Sequence, residues 1–252
     1  MQSHQLSPIL ERRSAAICLA AILVTLFVVR APFLFYIGMS TDAYNNGFDL
    51  PPYDFLASQG RQGSYLLIRF MDGLGIYGPH LQYLNVLLGV SALSVAAFYL
   101  FRTIFSDAWL LVFAGSVLFL AHPYQAEILT FRDAFPFYAT ASMLGCAGYY
   151  LSASTNRRHV VAGIAMIIAG LTIYQSFVNF LAMAWLLEAL LLSLLPAFRE
   201  RRPNWNIKLV QTACSALVSM LIYFAIIKAL DALQGTAAKG RATFINLDDV
   251  PS

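Results

Sequence analysis

Charge is scarce in this sequence of 252 residues, since acidic and basic side chains together make up 12% of it. The net charge is +3, and the arginines are spread between apolar segments instead of forming one basic face. Nucleic-acid binding needs a clustered basic surface, so the sequence argues against that function and against a nucleic-acid partner. Hydrophobic residues reach 59%, against about 45–50% in a soluble domain, which predicts a membrane protein with several spans.

Cysteine is equally scarce. The three cysteines, Cys18, Cys146 and Cys214, each lie inside an apolar run. A disulfide framework needs cysteines in loops, so these three are predicted to be small buried hydrophobic residues. The sequence also lacks a phosphate-binding P-loop, a nucleophile elbow, a paired-cysteine motif and an internal repeat. Gly73-Leu-Gly75-Ile-Tyr-Gly78 formally matches the dinucleotide-binding fingerprint, but that motif needs a strand before it and a helix opening on it within a βαβ unit, so the match is rejected.

Long apolar runs take up most of the chain. A spanning helix needs about 20 mostly apolar residues, so these runs predict an all-α polytopic transmembrane helix bundle of about seven spans. Arg30 and Pro32 lie in the last third of the first run, where they predict a kink or an early end. The predicted spans are Ala15 to Tyr36, Leu81 to Phe101, Phe105 to Ala121, Phe135 to Leu151, Val160 to Ile173, Phe177 to Leu195 and Thr212 to Leu230.

The basic residues favour one orientation of this bundle. With the N-terminus in the cytoplasm, most arginines fall in cytoplasmic segments, as the positive-inside rule requires. Four segments then face the other side of the membrane: the loop Gly38 to Pro79, the segment His122 to Asp133, the turn Tyr174 to Asn179 and the C-terminal tail. The polar chemistry is therefore expected on the outer face.

The long first outer loop holds a large share of the charge. A carboxylate at the membrane–water boundary can take the proton from a hydroxyl group, and Asp42 lies a few residues after the first apolar run. The alternatives for Asp42 are a solvated loop residue and a helix cap. The charged residues of the loop are Asp42, Asp49, Asp54, Arg61, Arg69 and Asp72.

Arg61 stands between two glycines, Gly60 and Gly63, in the same loop. Glycine lets a backbone approach a ligand closely, and a guanidinium binds phosphate or carboxylate through paired hydrogen bonds. An exposed turn whose arginine meets lipid headgroups explains the residues equally well. From Ser64 to Leu74, apolar residues recur at helical spacing, which predicts a helix lying in the membrane interface.

A second polar cluster ends the third predicted span. His122, Glu127, Arg132 and Asp133 fall within one short segment. Ionisable residues at a membrane are costly, so they tend to be functional or paired. Arg132 can pair with a neighbouring acid or hold an anionic phosphate. A metal site built from His122, Glu127 and Asp133 is the alternative, but their spacing matches no standard ligand pattern, so neither a metal nor another cofactor is predicted.

Glu188 lies in the middle of the sixth predicted span. Three explanations fit a carboxylate there: it lines a cavity, it pairs with a neighbouring polar group, or it reaches the cytoplasmic interface. The sequence does not separate them.

Two stretches together resemble a known family. They are Asp42 in a long outer loop that carries Gln59-Gly60-Arg61, and His122-Pro-Tyr-Gln-Ala-Glu-Ile-Leu-Thr-Phe-Arg132 at the end of the third span. The chain resembles the type-II O-antigen glucosyltransferase family, within the GT-C class of membrane glycosyltransferases. The likeness covers most of the chain in organisation, although the motifs that carry it are short.

The resemblance implies an enzyme of the bacterial inner membrane with its N-terminus in the cytoplasm and its active face in the periplasm. It implies a donor sugar, glucose, carried on a polyprenyl phosphate, and a glycan or lipopolysaccharide acceptor such as O-antigen. Asp42 would be the catalytic base, and Arg61 and Arg132, with His122 and Glu127, would contact substrate. Many members of the class have a second acid beside the first, whereas Ala43 follows Asp42 here, so Asp49 and Asp54 are rivals.

Two other functions remain open at this point. One is a transporter or flippase for a lipid-linked or polar solute, and the other is a non-catalytic membrane subunit whose outer loop binds a protein. The charges of a transporter usually lie near the membrane midplane, which favours the enzyme. Members of the GT-C class are usually longer, so residues 1–252 are expected to form a single transmembrane domain at the N-terminal end of a longer protein.

Overall fold

The computed structural model describes residues 8–35, 61–75, 82–106, 108–121, 135–196, 200 and 204–234. These residues are helical and contain no strand, which confirms the all-α class. The helices are α1 (Pro8–Phe35), α2 (Gln62–Gly73), α3 (Gln82–Phe105), α4 (Trp109–Ala121), α5 (Phe135–Ser152), α6 (Arg157–Ile173), α7 (Val178–Leu194) and α8 (Trp205–Gln234), with a 3₁₀ turn, Gln175–Phe177, before α7.

Within the described residues, four stretches are long and apolar enough to cross a membrane. They lie in α1, α3, α7 with its 3₁₀ turn, and α8, and run over Glu11–Ala31, Val86–Phe105, Gln175–Leu194 and Trp205–Leu230. Helix α4 is a shorter apolar helix. This supports a membrane protein, while the full set of seven spans stays a prediction.

The first helix continues past the residues that were expected to end it. Helix α1 runs through Arg30 and Pro32 to Phe35, so the prediction of an early end is wrong. Arg30 is buried, and its Nη2 donates a hydrogen bond to the carbonyl oxygen of Leu120, 2.6 Å away, in the last turn of α4. This contact gives the guanidinium an acceptor inside the bundle, and cations are favourable at the C-terminal end of a helix.

Helices α8, α3 and α4 also differ from their predicted bounds. Helix α8 begins at Trp205 instead of Thr212 because polar side chains near its start find partners: Lys208 lies over the Trp205 ring, 5.0 Å from its centroid, and Gln211 donates to the carbonyl of Ser154. Helices α3 and α4 are separated at Ser106, whose φ of 53° is left-handed and does not continue a helix.

The bundle is packed around α3 and α5. Helix α3 contacts α1, α4 and α5, and α6 packs against α5, α8 and the short helix α2. Gly148 of α5 and Gly163 of α6 lie close together in the contact between the two helices. A Cβ on Gly163 would lie 2.7 Å from the carbonyl oxygen of Gly148, so only hydrogen fits between the two backbones.

Side-chain contacts show which helix termini lie together at each end of the bundle. At one end, Glu11 near the start of α1 forms an ion pair of 2.8 Å with Arg102 near the end of α3. At the other end, Arg30 meets the last turn of α4, and Phe119 of α4 packs edge-on against Phe180 of α7, with ring centroids 4.3 Å apart. We call this second end the 174 end, because it contains the break between α6 and α7 at Tyr174.

Glu188 pairs with neighbouring polar groups inside the bundle. Its side chain is 1% exposed, and its Oε2 accepts hydrogen bonds from the Tyr149 hydroxyl at 2.6 Å and the Trp205 indole at 3.2 Å. These three residues belong to α7, α5 and α8, so the carboxylate ties three helices together at the end opposite the 174 end. Of the three explanations, pairing is the one observed.

Replacing Glu188 by leucine is expected to lower the free energy of unfolding by about 2 kcal/mol, because the buried Tyr149 hydroxyl loses its acceptor. The loss stays moderate because the desolvation cost of the carboxylate disappears as well. Glu188→Gln keeps an acceptor oxygen and should stay much closer to wild type. Unfolding in mixed detergent–SDS micelles measures both variants. An equal loss in the two would show that charge, not hydrogen bonding, is what matters at this position.

Candidate functional site

Helix α2 docks against the C-terminal end of α6. The Ser64 hydroxyl donates a hydrogen bond of 2.5 Å to the carbonyl oxygen of Ile173, the last residue of α6. In a helix that continued, this carbonyl would instead accept from the backbone amide four residues further on. A Cβ on Gly63 would lie 2.6 Å from Thr172 Oγ1 and 3.1 Å from the Ile173 amide nitrogen. Glycine at 63 therefore allows a backbone approach that a larger residue would prevent.

The opposite side of α2 is apolar and exposed. Ser64 and Ile68 are buried against the bundle, whereas Leu66, Phe70 and Leu74 are each more than half exposed. A short helix with one face on protein and a second apolar face is typical of a helix at the membrane interface. The structure thus contains a helix over the predicted stretch, beginning at Gln62 instead of Ser64, and its place in a membrane interface stays a prediction.

This docking brings Arg61 to the break between α6 and α7. The guanidinium carbon lies 4.7 Å from the centroid of the Tyr174 ring, within cation–π range. Its Nε donates a hydrogen bond of 3.3 Å to Gln175 Oε1. Gln175 Nε2 in turn donates to the Tyr223 hydroxyl of α8, 2.7 Å away. We call Arg61, Tyr174, Gln175 and Tyr223 the Arg61 cluster.

The local chain geometry explains how Tyr174 and Gln175 reach Arg61. Helix α6 ends at Ile173 because Tyr174 is extended, with φ −154° and ψ 106°, and the 3₁₀ turn Gln175–Phe177 then redirects the chain into α7. Phe177 anchors this turn: it is completely buried, and a Cβ on Gly170 would lie 2.9 Å from its ring. Tyr138 of α5 packs edge-on against Tyr174, with centroids 5.6 Å apart.

The Arg61 guanidinium is held through its Nε nitrogen, by Gln175, and through one face of its plane, by the Tyr174 ring. Within residues 61–75 and the rest of the described chain, no carboxylate lies within ion-pair distance of Arg61, and no hydrogen bond uses its terminal Nη groups. A guanidinium fixed in this way presents two amino groups in one plane, which is the geometry that binds phosphate or carboxylate oxygens. The Arg61 cluster can therefore act as an anion-binding site.

The structure describes only one of the predicted site residues. Arg61 lies in the Arg61 cluster, whereas Asp42, His122, Glu127 and Arg132 lie outside the described residues. The rival bases Asp49 and Asp54 lie outside them as well. No group of His, Cys, Asp or Glu in the described ranges could hold a metal ion, and these ranges do not include the His122 cluster.

Sequence reasoning missed three members of the Arg61 cluster. Tyr174 and Gln175 had a signal, because a polar Tyr-Gln-Ser stretch interrupts two apolar runs, and the turn was placed on the same face as the outer loop. Tyr223 had none: it is one aromatic residue among many in the last apolar run. Its role depends on which face of α8 meets the break, and that is a property of the tertiary structure.

A comparison with protein families agrees with the resemblance noted in the sequence. The sequence model of the family described as Glucosyl transferase GtrII matches residues 31–243. The chain belongs to the GtrII glucosyl transferase family. The match begins within α1 and ends beyond α8, so it includes the Arg61 cluster and the polar segments around Asp42 and Arg132. Comparison with curated proteins and with solved structures gave no match. Membership in GtrII supports a glycosyltransferase.

Proposed function

We propose that this GtrII chain moves glucose from a polyprenyl-phosphate donor to a cell-surface glycan such as O-antigen, on the periplasmic face of the bacterial inner membrane. The observation that carries the proposal is Arg61, held without a carboxylate partner in the described chain at the 174 end of an apolar helix bundle. A lipid-linked sugar phosphate has an apolar tail and an anionic head, which matches a cationic group at the end of such a bundle.

The reaction would be a direct displacement at the anomeric carbon. The oxygen of the acceptor hydroxyl forms a bond to C1 of the glucose, and Asp42 takes the hydroxyl proton. The bond between C1 and the phosphate oxygen breaks, and polyprenyl phosphate leaves with the bonding electrons. Arg61 stabilises the charge that develops on this phosphate, with Arg132, His122 and Glu127 as further substrate contacts. A single displacement inverts the anomeric configuration.

The charge distribution supports the orientation of this site. The end opposite the 174 end carries Arg102 and, at the helix starts, Arg157, Arg158 and Lys208. An excess of basic residues marks the cytoplasmic side of a membrane protein. The 174 end with Arg61 would then face the periplasm, where O-antigen acceptors lie. Helix α2 would lie at the periplasmic surface of the inner membrane.

The test is glucosyl transfer in membranes that contain the full gene product. Polyprenyl-phosphate glucose and a nucleotide-linked glucose are offered separately to lipopolysaccharide acceptor, with membranes lacking the protein as control. We expect transfer from the lipid-linked donor alone. Transfer from the nucleotide sugar would contradict the donor assignment. Protein-dependent movement of the lipid-linked sugar across the membrane without transfer would favour the flippase, and neither activity would favour the subunit.

A further inference from the structure

The Gln175 amide has only one orientation that satisfies both of its neighbours. The Nε–H of Arg61 can only donate, so it requires the carbonyl oxygen Oε1 of the amide. The amide nitrogen Nε2 is then directed at the Tyr223 hydroxyl, which accepts its hydrogen bond at 2.7 Å. Tyr223 is buried in α8 and so fixes the amide from a rigid element. The side chain of Arg61 is thereby positioned by residues from two other parts of the fold.

We propose that Gln175 and Tyr223 are positioning residues that hold the Arg61 guanidinium ready for the phosphate of the donor lipid. This role rests on the proposed function, and neither Gln175 nor Tyr223 was among the predicted site residues. Gln175 occupies Nε, and Tyr174 covers one face of the guanidinium at 4.7 Å. Neither contact uses the edge that carries the two Nη groups, and no hydrogen bond from that edge to another described residue is present. That edge matches two oxygens of one phosphate group.

Gln175 is uncharged, so it positions Arg61 without neutralising the guanidinium. A glutamate at this position would be the same size and would accept from Arg61 Nε more strongly, because the hydrogen bond would join two opposite charges. The Tyr223 hydroxyl can turn and donate to it, so the packing would be kept. The ion pair would, however, neutralise Arg61 and compete with phosphate. A purely structural Arg61 cluster gains from such a change, whereas a phosphate site loses.

The experiment compares wild type with Gln175→Glu in purified protein. The probe is polyprenyl phosphate, and its apparent Kd is measured beside that of the matching polyprenol, which lacks the phosphate. We expect Gln175→Glu to weaken polyprenyl-phosphate binding roughly tenfold or more, the scale of a charge-assisted hydrogen-bonded contact. Polyprenol binding should stay at the wild-type value, and the unfolding midpoint should stay at or above that of wild type. Unchanged affinity for polyprenyl phosphate in Gln175→Glu would overturn the inference.

Two further variants make the comparison specific. Tyr223→Phe keeps the ring and removes the acceptor of the Gln175 amide, so it should weaken polyprenyl-phosphate binding by about threefold, a smaller effect than that of Gln175→Glu. Gln211→Glu makes the same chemical change at the opposite end, where Gln211 Nε2 bonds to the Ser154 carbonyl. It should leave polyprenyl-phosphate affinity unchanged. A loss in Gln211→Glu equal to that in Gln175→Glu would contradict a local site.

Other phosphates are tested as competitors. Phosphatidylglycerol and inorganic phosphate share the phosphate group but not the polyprenyl tail. We expect neither to displace polyprenyl phosphate at equal concentration. Displacement by phosphatidylglycerol would show that the Arg61 cluster binds bulk lipid headgroups. Displacement by inorganic phosphate would show that it binds a free anion. Binding and transfer are separate readouts. If binding depends on the phosphate but no transfer occurs, the enzyme is rejected and the phosphate site is kept. If transfer is normal but Gln175→Glu binds polyprenyl phosphate as strongly as wild type, the enzyme is kept and the positioning role is rejected.

Discussion

Replacing Asp42 by asparagine is expected to lower glucosyl transfer by roughly 10²–10⁴-fold, the contribution of a positioned general base. Asparagine has nearly the same shape as aspartate but cannot accept the proton of the acceptor hydroxyl. In the proposed mechanism the donor phosphate binds elsewhere, at the Arg61 cluster, so the affinity for polyprenyl phosphate should not change. Loss of kcat with unchanged donor binding is the signature of a missing base and not of a misfolded protein.

Transfer is measured at equal expression in wild type, Asp42→Asn, Asp49→Asn and Asp54→Asn. The two rivals serve as matched controls, because they carry the same change in the same loop. We expect only Asp42→Asn to lose activity. Full transfer by Asp42→Asn together with loss in one rival would keep the enzyme and move the base to that aspartate. Full transfer by all three variants would remove the loop carboxylates from the chemistry.

The helices were predictable because their cause is local. Apolar runs of spanning length reappear as α1, α3, α7 and α8, and the apolar spacing after Ser64 reappears as α2. The bounds were less predictable, since they depend on contacts with other helices. Helix α1 passes Arg30 because the end of α4 supplies a carbonyl, and the sequence of α1 contains no trace of that partner.

The candidate site was predictable only where chemistry stood out in the sequence. Arg61 was noticed because a charged residue between glycines is unusual in an apolar chain. Its partners were not, because Gln175 and Tyr223 are 114 and 162 residues further on (175 − 61 and 223 − 61), and no local pattern links them to it. A hydrogen bond of this kind exists only once α2, the α6–α7 break and α8 are packed together.

Gly163→Leu is expected to destabilise the bundle by about 3 kcal/mol. A Cβ at this position would lie 2.6 Å from Ser152 Oγ, 2.7 Å from the Gly148 carbonyl oxygen and 2.8 Å from the Ser152 amide nitrogen. Two of these atoms belong to the backbone of α5, so no change of rotamer relieves the clash, and α5 and α6 must separate. The unfolding transition in mixed detergent–SDS micelles measures the loss.

Gly73→Leu is the matched control for this variant. Gly73 is the last residue of α2, and a Cβ there would meet nothing within 4 Å. Leucine is a better helix former than glycine at both positions, so intrinsic propensity favours both variants, and only packing distinguishes them. We therefore expect Gly73→Leu to match or exceed wild-type stability. A Gly163→Leu protein as stable as Gly73→Leu would show that α5 and α6 do not approach closely, and the placement of Tyr174 and Gln175 at the end of α6 would lose its support.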